Sequence, residues 1–289
     1  MAGFNSIKAL VDAMENGQHF IGSFRKIPSQ QTLTGCWADF SMAAGNPQTN
    51  YYASEPLKAA VIDSARGVYV GPRVSPSKKF LKQINVMVGS VTIPPATIHF
   101  LDYLLYYPFI DGDELGEQLL DNTVSLPRYS DGDGVKAFVV AQGSYVGAAR
   151  FSINYTNQSG VSGRTSIFST SNISTFVGSL ITSGAGGGAG RVNEKGPFIT
   201  LMDGDTGIRS VESFTFETAN SGIYALVLCK PIATTSIREQ TAPVEKDFFK
   251  DNGGAMPEIK DGACINFIIN NNLNMLSSHI SGTIETVWN

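Results

Sequence analysis

Residues 150–156, RFSINYT, give the clearest indication of the fold class of this chain. Phe151, Ile153 and Tyr155 fall on one face of an extended backbone, and the polar residues between them fall on the other. This period of two is typical of an antiparallel strand that buries one face and exposes the other to water. The stretch therefore predicts a half-buried β-strand.

Six further stretches have the composition of short strands, and clusters of Gly, Asn, Asp or Ser separate them. They are Lys136–Ala141, Thr165–Thr170, Glu212–Glu217, Ile223–Cys229, Ala263–Ile269 and Thr283–Trp288. Ile223–Leu228 is apolar on both faces, which predicts a central strand covered on each side. Together the seven stretches predict a mainly β protein, an antiparallel β-sandwich of jelly-roll-like form.

The chain is predicted to divide at residue 126. Residues 1–126 are expected to form a smaller mixed α/β region with two short helices, and residues 127–289 the sandwich. Two segments of the sandwich differ from the rest in composition. Thr182–Arg191 holds five glycines and is predicted to be a flexible loop or a subunit contact. The charged stretch Thr234–Gly254 is predicted to be an extended arm or a long surface loop.

Apolar residues at helical spacing predict the first helix, with Asn5 as its N-cap and Gly17 at its end. These apolar residues are Ile7, Leu10, Val11 and Met14. A second helix is predicted over residues 54–67, because Pro56 would lie in its first turn, where no N–H is needed. Asp113–Leu120 is expected to form a further helical turn or two.

The composition describes a folded protein with little charge. The 289 residues are 42% hydrophobic and 16% charged, and the net charge is −4 with a pI near 5.4. These values exclude a charge-rich disordered chain and give no support for a basic nucleic-acid-binding surface. A weakly charged surface favours the large apolar contacts of permanent assemblies.

The cysteines and the apolar stretches indicate the cellular compartment in which the protein is expected to fold. Cys36, Cys229 and Cys264 are widely spaced and odd in number, so they predict buried free thiols rather than disulfides or a zinc site. The longest apolar stretch, Leu101–Ile110, is interrupted and is about half the ~20 residues that span a bilayer. The N-terminus, residues 1–18, is amphipathic and lacks a signal-peptide pattern. We expect a soluble protein made in a cytoplasm.

Patterns that could hold a cofactor or a metal have simpler explanations. The glycine run is followed by a turn-forming sequence rather than by a helix N-terminus, so it does not predict a phosphate site. The aspartate pairs are Asp111/Asp113, Asp131/Asp133 and Asp203/Asp205. The first two have Leu115 and Val135 where a calcium loop needs an oxygen ligand. Asp-Gly turn geometry accounts for all three pairs.

Histidines and aromatic residues give no defined active site. His19, His99 and His279 are scattered, and neither a zinc-binding HExxH motif nor a GxSxG nucleophile elbow occurs. The aromatic cluster Tyr103–Phe109 has three explanations, which are core packing, a protein interface and a carbohydrate platform. Core packing comes first among them, and the protein interface second.

Several stretches carry a family resemblance. They are Asn50–Leu57, the Gly- and Ser-rich Val177–Gly190, and Gly222–Leu228 leading into Thr234–Phe249. In general character these stretches resemble the virion structural proteins of tailed bacteriophages, the auxiliary head proteins that decorate or cement a capsid and the related head–tail and tail components. The resemblance implies self-assembly in many copies per particle and no active site to carry over.

The sequence therefore predicts a non-enzymatic structural component of a phage particle. We expect it to be capsid-associated, as a decoration, cement or minor head protein, and to be made in the host cytoplasm before it joins the virion. Its predicted partners are copies of itself and other virion proteins, with no cofactor, no metal, no membrane and no direct nucleic-acid contact. No catalytic, cofactor-binding or metal-binding residue is assigned.

Two other functions stay open at this point. A tail or receptor-binding component would bind carbohydrate through Trp37, Trp288 or the Tyr103–Tyr107 cluster. An enzyme on a β-scaffold would depend on one of the three histidines.

Overall fold

The computed structural model describes residues 3–32, 34–89, 95–144, 149–170, 176–181, 196–240, 242–271, 275–276 and 278–289. Strands dominate it. They are β1 (His19–Ile27), β2 (Trp37–Asp39), β3 (Ala44–Asn46), β4 (Ala60–Val61), β5 (Lys79–Val88), β6 (Ala96–Asp111), β7 (Gly116–Leu119), β8 (Lys136–Ala141), β9 (Arg150–Asn157), β10 (Arg164–Thr165), β11 (Ser169–Thr170), β12 (Ile208–Phe216), β13 (Ile223–Ile237), β14 (Val244–Asp247), β15 (Glu258–Ile259), β16 (Ile265–Asn271) and β17 (Ile280–Trp288). The α-helices are α1 (Ile7–Glu15) and α2 (Phe248–Asp251), and short 3-10 turns occur at Phe40–Met42 and Ser64–Arg66.

The strands form three sheets. Sheet 1 has the order β14-β5-β17-β1-β3, with β15 also on β5. Sheet 2 has the order β2-β16-β6-β13-β8, with β4 also on β6, and sheet 3 has the order β10-β9-β12-β7, with β11 also on β9. The strand pairs are antiparallel throughout. The prediction of a mainly β, antiparallel sandwich-like fold is confirmed.

Sheet 2 is shared by two sandwiches because its long strands β6 and β13 reach across both. One apolar cluster fills the space between sheet 1 and sheet 2 and contains Phe24, Phe100 and Phe267. A second cluster lies between sheet 2 and sheet 3 and contains Leu226 and Phe214. Burying each such side chain stabilises the fold by about 2 kcal/mol.

The central position predicted for Ile223–Leu228 is confirmed. This part of β13 pairs with β6 on one side and β8 on the other. Leu226 belongs to the cluster against sheet 3, whereas its neighbours Ala225 and Val227 belong to a third cluster on the opposite face of sheet 2. Both faces of the strand are therefore covered.

A short segment joins the two edges of sheet 2. Within residues 178–181, which we call the closing segment, the Leu180 N–H donates to the Trp37 carbonyl on β2 (2.9 Å). The Ile181 N–H donates to the Val139 carbonyl on β8 (2.9 Å). Because β2 and β8 are the first and last strands of this sheet, the closing segment completes a ring around the third apolar cluster.

The strands predicted from period-two patterns are largely confirmed. Lys136–Ala141 matches β8, and 150–156 falls within β9. The stretch Thr165–Thr170 holds two separate two-residue strands, β10 and β11, instead of one continuous strand. In all three sheets, strands before residue 126 pair with strands after it, so the predicted boundary does not separate two sheets.

The first predicted helix is confirmed with a shift of its cap by one residue. Helix α1 starts after Ser6, whose Oγ accepts from the Ala9 N–H (3.1 Å), rather than after Asn5. It ends just before Gly17, which has a positive φ of 74°. This glycine is therefore at the left-handed position that commonly ends a helix.

Two further helix predictions are wrong. Residues 54–67 contain strand β4 and a 3-10 turn, because their backbone bonds to distant parts of the chain. The Leu57 N–H donates to the Pro108 carbonyl and the Ala59 N–H to the Asp121 carbonyl. Asp113–Leu120 contains strand β7, paired with β12. Long-range pairing outweighs weak helix propensity in both stretches.

The prediction of a polar arm or long surface loop is also wrong. Thr234–Gly254 is not an extended arm, since it contains the end of β13, all of β14 and helix α2. The pairing partners are β6 for the first of these strands and β5 for the second. The glycine run Thr182–Arg191 lies outside the described residues.

Candidate functional site

The predicted aromatic cluster belongs to the core. Tyr103 and Tyr107 are fully buried and Tyr106 nearly so. Core packing, the first of its three explanations, is confirmed for these residues, and they offer no stacking surface to a ligand. Trp37 is half-buried on β2 and stacks on His99, with ring centroids 4.6 Å apart.

The three histidines occupy separate environments. His19 is exposed on β1, and His279 is half-buried just before β17. His99 is half-buried, its Nδ1 lies 2.6 Å from Thr234 Oγ1, and burial lowers its pKa. Among the residues that the structure describes, no hydrogen bond or ring contact joins one histidine to another.

Asp39 at the end of β2 accepts four hydrogen bonds, the most of any buried carboxylate in the described ranges. It accepts from the Tyr52 hydroxyl (2.5 Å), the Tyr103 hydroxyl (2.7 Å) and Ser41, through both the hydroxyl (2.9 Å) and the backbone N–H (2.8 Å). Burial raises the pKa of Asp39, although all four donors favour the ionised form. The carboxylate lies where the closing segment meets β2.

Lys26 is a buried ammonium near this carboxylate. Its Nζ donates to three backbone carbonyls, at Ala43 (2.9 Å), Ser41 (3.3 Å) and Gln48 (3.5 Å). Burial lowers the pKa of Lys26 to about 8, and attraction to Asp39 opposes that shift. Lys26 and Asp39 carry opposite charges, and the backbone of Ser41 lies between them: its carbonyl accepts from Lys26 and its N–H donates to Asp39.

A second buried charge pair lies in sheet 2. Asp102 on β6 accepts from Arg128 through Nη2 (2.6 Å) and Nε (2.8 Å), and from the Cys264 backbone N–H (2.9 Å). Arg128 also donates to the Tyr103 carbonyl (3.1 Å). Burial raises the pKa of Asp102, and the guanidinium opposes this shift. The pair ties the loop before β8 to the centre of the fold.

A third network surrounds Asp205. Its carboxylate accepts from Tyr155 (2.5 Å), Asn157 (2.7 Å) and Arg164 (2.9 Å). Burial raises the pKa of Asp205, but the donors led by Arg164 outweigh that effect and leave the pKa below its ordinary value. This residue therefore anchors the end of sheet 3 rather than only closing a turn.

The other aspartate pairs and the cysteines agree with the predictions. The first residue of each pair, Asp111 or Asp131, accepts from the backbone N–H two residues on, which is the expected turn geometry.

The cysteines are free and buried. Burial raises the pKa of Cys229 and of Cys264, so both thiols stay protonated and unreactive near neutral pH.

Three clefts open on the described surface near charged groups, and the one beside Asp205 has a volume of about 250 Å³. The other two lie elsewhere. One, of about 130 Å³, lies beside Asp39 and is lined by Thr32, Tyr51 and Ser179 among others. The second, of about 360 Å³, is lined by Tyr69 and Arg73 among others. Within the described ranges, no three His, Cys, Asp or Glu side chains are grouped to hold a metal.

Large apolar side chains are exposed at many positions of the described surface, and two pairs of them lie close together on single elements. Ile7 (68% exposed) and Val11 lie one turn apart on α1, which we call the helix surface. Leu115 and Leu119 (71% exposed) lie beside and on the edge strand β7, which we call the edge surface. The helix packs on the cluster between sheets 1 and 2, whereas β7 belongs to sheet 3.

No motif or spacing in the sequence predicts any of these buried networks. Asp102 carried a signal, because it is the one acidic residue inside the apolar run Leu101–Phe109 and a buried charge needs a partner. Its partner is 26 residues away in sequence, and no local pattern connects the two.

No described helix has the length and the apolar character needed to cross a membrane. Comparisons with protein-family models, with curated proteins and with solved structures gave no match to this chain.

Proposed function

We propose that this chain is a non-enzymatic structural component of a tailed-phage particle, associated with the capsid and assembled through protein–protein contacts. Its partners are copies of itself and other virion proteins. The family resemblance of the sequence supports the particle assignment. The observation that carries the proposal is the exposure of two separate apolar surfaces, the helix surface and the edge surface.

Two different apolar surfaces suit repeated assembly. A contact between unlike surfaces of successive copies is heterologous, and such contacts generate rings or extended lattices. The residues concerned, such as Ile7 and Leu119, stand among polar neighbours on regular elements, so they would be presented in a fixed geometry. Burial of both surfaces in contacts would remove them from water.

The buried charges support a structural rather than a chemical role. Asp39, Asp102 and Asp205 each accept three or more hydrogen bonds from the protein itself. A carboxylate held in this way is positioned to fix loops and strands, and it has few lone pairs left for a substrate. These networks stabilise the scaffold on which the apolar surfaces are displayed.

Light scattering coupled to gel filtration tests the proposal on the full chain. We expect a defined oligomer, a trimer or larger ring, or binding to a preformed capsid shell. Ile7→Asp and Leu119→Asp should each shift the population towards monomer or abolish shell binding. The matched controls Asn5→Asp and Thr123→Asp add the same charge at exposed polar positions and should leave assembly unchanged.

A chain that stays monomeric at high concentration and has no affinity for capsids or tails would contradict the proposal. Mass spectrometry of purified particles provides an independent test, because a virion component must be present in them in many copies.

A further inference from the structure

A loop beside the larger cleft is held from three directions. In residues 69–75, which we call the anchored loop, Thr286 Oγ1 donates to the carbonyl of residue 70 (2.9 Å). Lys79 Nζ donates to the carbonyls of residues 71 and 72 (3.2 and 2.6 Å). The carboxylate of Asp261 accepts from the backbone N–H groups of residues 74 and 75 (3.0–3.1 Å). Anchors on three sides fix the conformation of this loop.

The anchored loop presents two side chains to solvent. Tyr69 is 62% exposed, because the chain alternates here and its neighbours Val68 and Val70 point into the core. The Phe20 ring contacts the Tyr69 ring edge-on, with centroids 4.9 Å apart, and so supports it from one side. Arg73 is exposed, and within the described part of the chain it has no hydrogen-bond or ion-pair partner.

The cleft between them has room for a small ligand and a local excess of positive charge. Its volume is about 360 Å³, and its charged lining residues are Arg73, Lys79 and Asp261. A methyl group placed on Gly262 would lie 4.0 Å from Arg73 Nη2 and 3.9 Å from Arg128 Nη1. The Arg128 guanidinium is paired with Asp102, and Asp261 lies 4.0 Å from Lys79 Nζ, so the exposed Arg73 supplies the positive charge that favours an anion in this cleft.

We infer that this cleft binds an acidic saccharide, with a sugar ring on Tyr69 and the carboxylate of the ligand on Arg73. The apolar C–H face of a sugar ring packs on an exposed aromatic ring, and the guanidinium recognises a carboxylate through two parallel hydrogen bonds. A loop that is already ordered loses little entropy when it binds, which favours affinity. The inference does not depend on the particle assignment, since it concerns a different surface.

Isothermal titration calorimetry on the full chain tests this site. The probes are sialyllactose and tri-galacturonic acid, with lactose as the neutral counterpart of the first. We expect saturable binding of at least one acidic probe and at least tenfold weaker binding of lactose. Arg73→Met should weaken binding of the acidic probe by about tenfold or more, the value of one charge-assisted hydrogen bond, and Tyr69→Ala by about tenfold through loss of the stacking surface.

Matched controls lie elsewhere on the surface. Tyr51→Ala and Arg25→Met remove an exposed tyrosine and an exposed arginine outside the cleft and should leave affinity unchanged. The inference is overturned if neither acidic probe binds at millimolar concentration, or if lactose binds equally well. It is also overturned if Tyr69→Ala leaves the affinity unchanged, because the site would then recognise only a free anion. Thermal melts of each variant verify that the fold is intact.

Discussion

The pair Asp102–Arg128 gives the sharpest test of the buried network. Arg128→Met removes the two hydrogen bonds to the carboxylate (2.6 and 2.8 Å) and the one to the Tyr103 carbonyl (3.1 Å). Asp102 is fully buried and would keep only the Cys264 N–H as a donor. An uncompensated buried charge costs about 3–5 kcal/mol, which corresponds to a fall in melting temperature of about 6–10 °C for a chain of this size.

The loss should depend on pH with a known sign. Burial already raises the pKa of Asp102, and removal of the guanidinium raises it further. A carboxyl whose pKa is higher in the folded state than in the unfolded state stabilises the fold at low pH, and this stabilisation is lost as the pH rises through the folded pKa. Arg128→Met should therefore be more destabilising at pH 8 than at pH 5.

Urea unfolding followed by circular dichroism measures both effects. The control Arg150→Met breaks an exposed pair with Glu217 (3.1 Å) and should cost less than about 1 kcal/mol. The double variant Asp102→Asn with Arg128→Met should recover much of the lost stability, because no buried charge remains. A loss below about 1 kcal/mol for Arg128→Met, or a loss that neither pH nor the second substitution changes, would show that the guanidinium does not compensate the buried Asp102 charge.

Three other substitutions test separate features. Gly22→Ala should destabilise the fold by about 1–3 kcal/mol in urea unfolding, because its new methyl group would lie 2.0 Å from a backbone carbonyl of the anchored loop; Gly143→Ala, with its nearest atom at 3.7 Å, should be close to neutral. Lys26 has a pKa of about 8 in the folded protein, so above that pH the unfolded chain binds more protons than the folded one. Between pH 7.5 and 9.5 the free energy of unfolding of the wild type should therefore rise by about 2 kcal/mol more than that of Lys26→Met. Equal dependence of the two free energies on pH would contradict this. Tyr103→Phe removes a 2.7 Å hydrogen bond to the buried carboxylate and should cost about 1.5–3 kcal/mol by the same assay, whereas Tyr106→Phe should cost clearly less.

The strands could be predicted because their signal is local. The structure has strands at 150–156 and at Lys136–Ala141, and Phe151, Ile153 and Tyr155 are buried as their alternation predicts. For Ile223–Leu228 the absence of alternation predicted correctly that both faces are covered. Hydrophobic periodicity alone determines which face of a strand is buried.

The failures lie where distant parts of the chain decide the outcome. Residues 54–67 have helical spacing, but their backbone groups pair with segments more than 40 residues later in sequence, as in Ile62 N–H to the Leu104 carbonyl. The spacing in α1 predicts a face that includes Ile7 and Val11, yet the core covers only Leu10 and Ala13 of this helix fully. A periodic pattern locates an apolar face and does not reveal how much of it the fold will cover.

The candidate sites depend on tertiary contacts in the same way. Asp39 has its donors at Ser41, Tyr52 and Tyr103, and the cleft at the anchored loop joins Arg73 to Asp261. None of these separations corresponds to a known motif, so a single sequence could not assemble them. The sequence indicates only that Asp102, a charged residue inside an apolar strand, needs a partner. It does not indicate which residue that partner is.

The closing segment has a consequence for how copies can meet. Ile223–Leu228 has the composition of a chain that stacks indefinitely into fibrils, with high β-propensity and no charge. In sheet 2 both terminal strands are already hydrogen-bonded to residues 178–181. The backbone groups of these edges are therefore not free to pair with a strand of another copy. If copies of the chain assemble as we propose, their contacts would be made by side chains and not by backbone hydrogen bonds of this sheet.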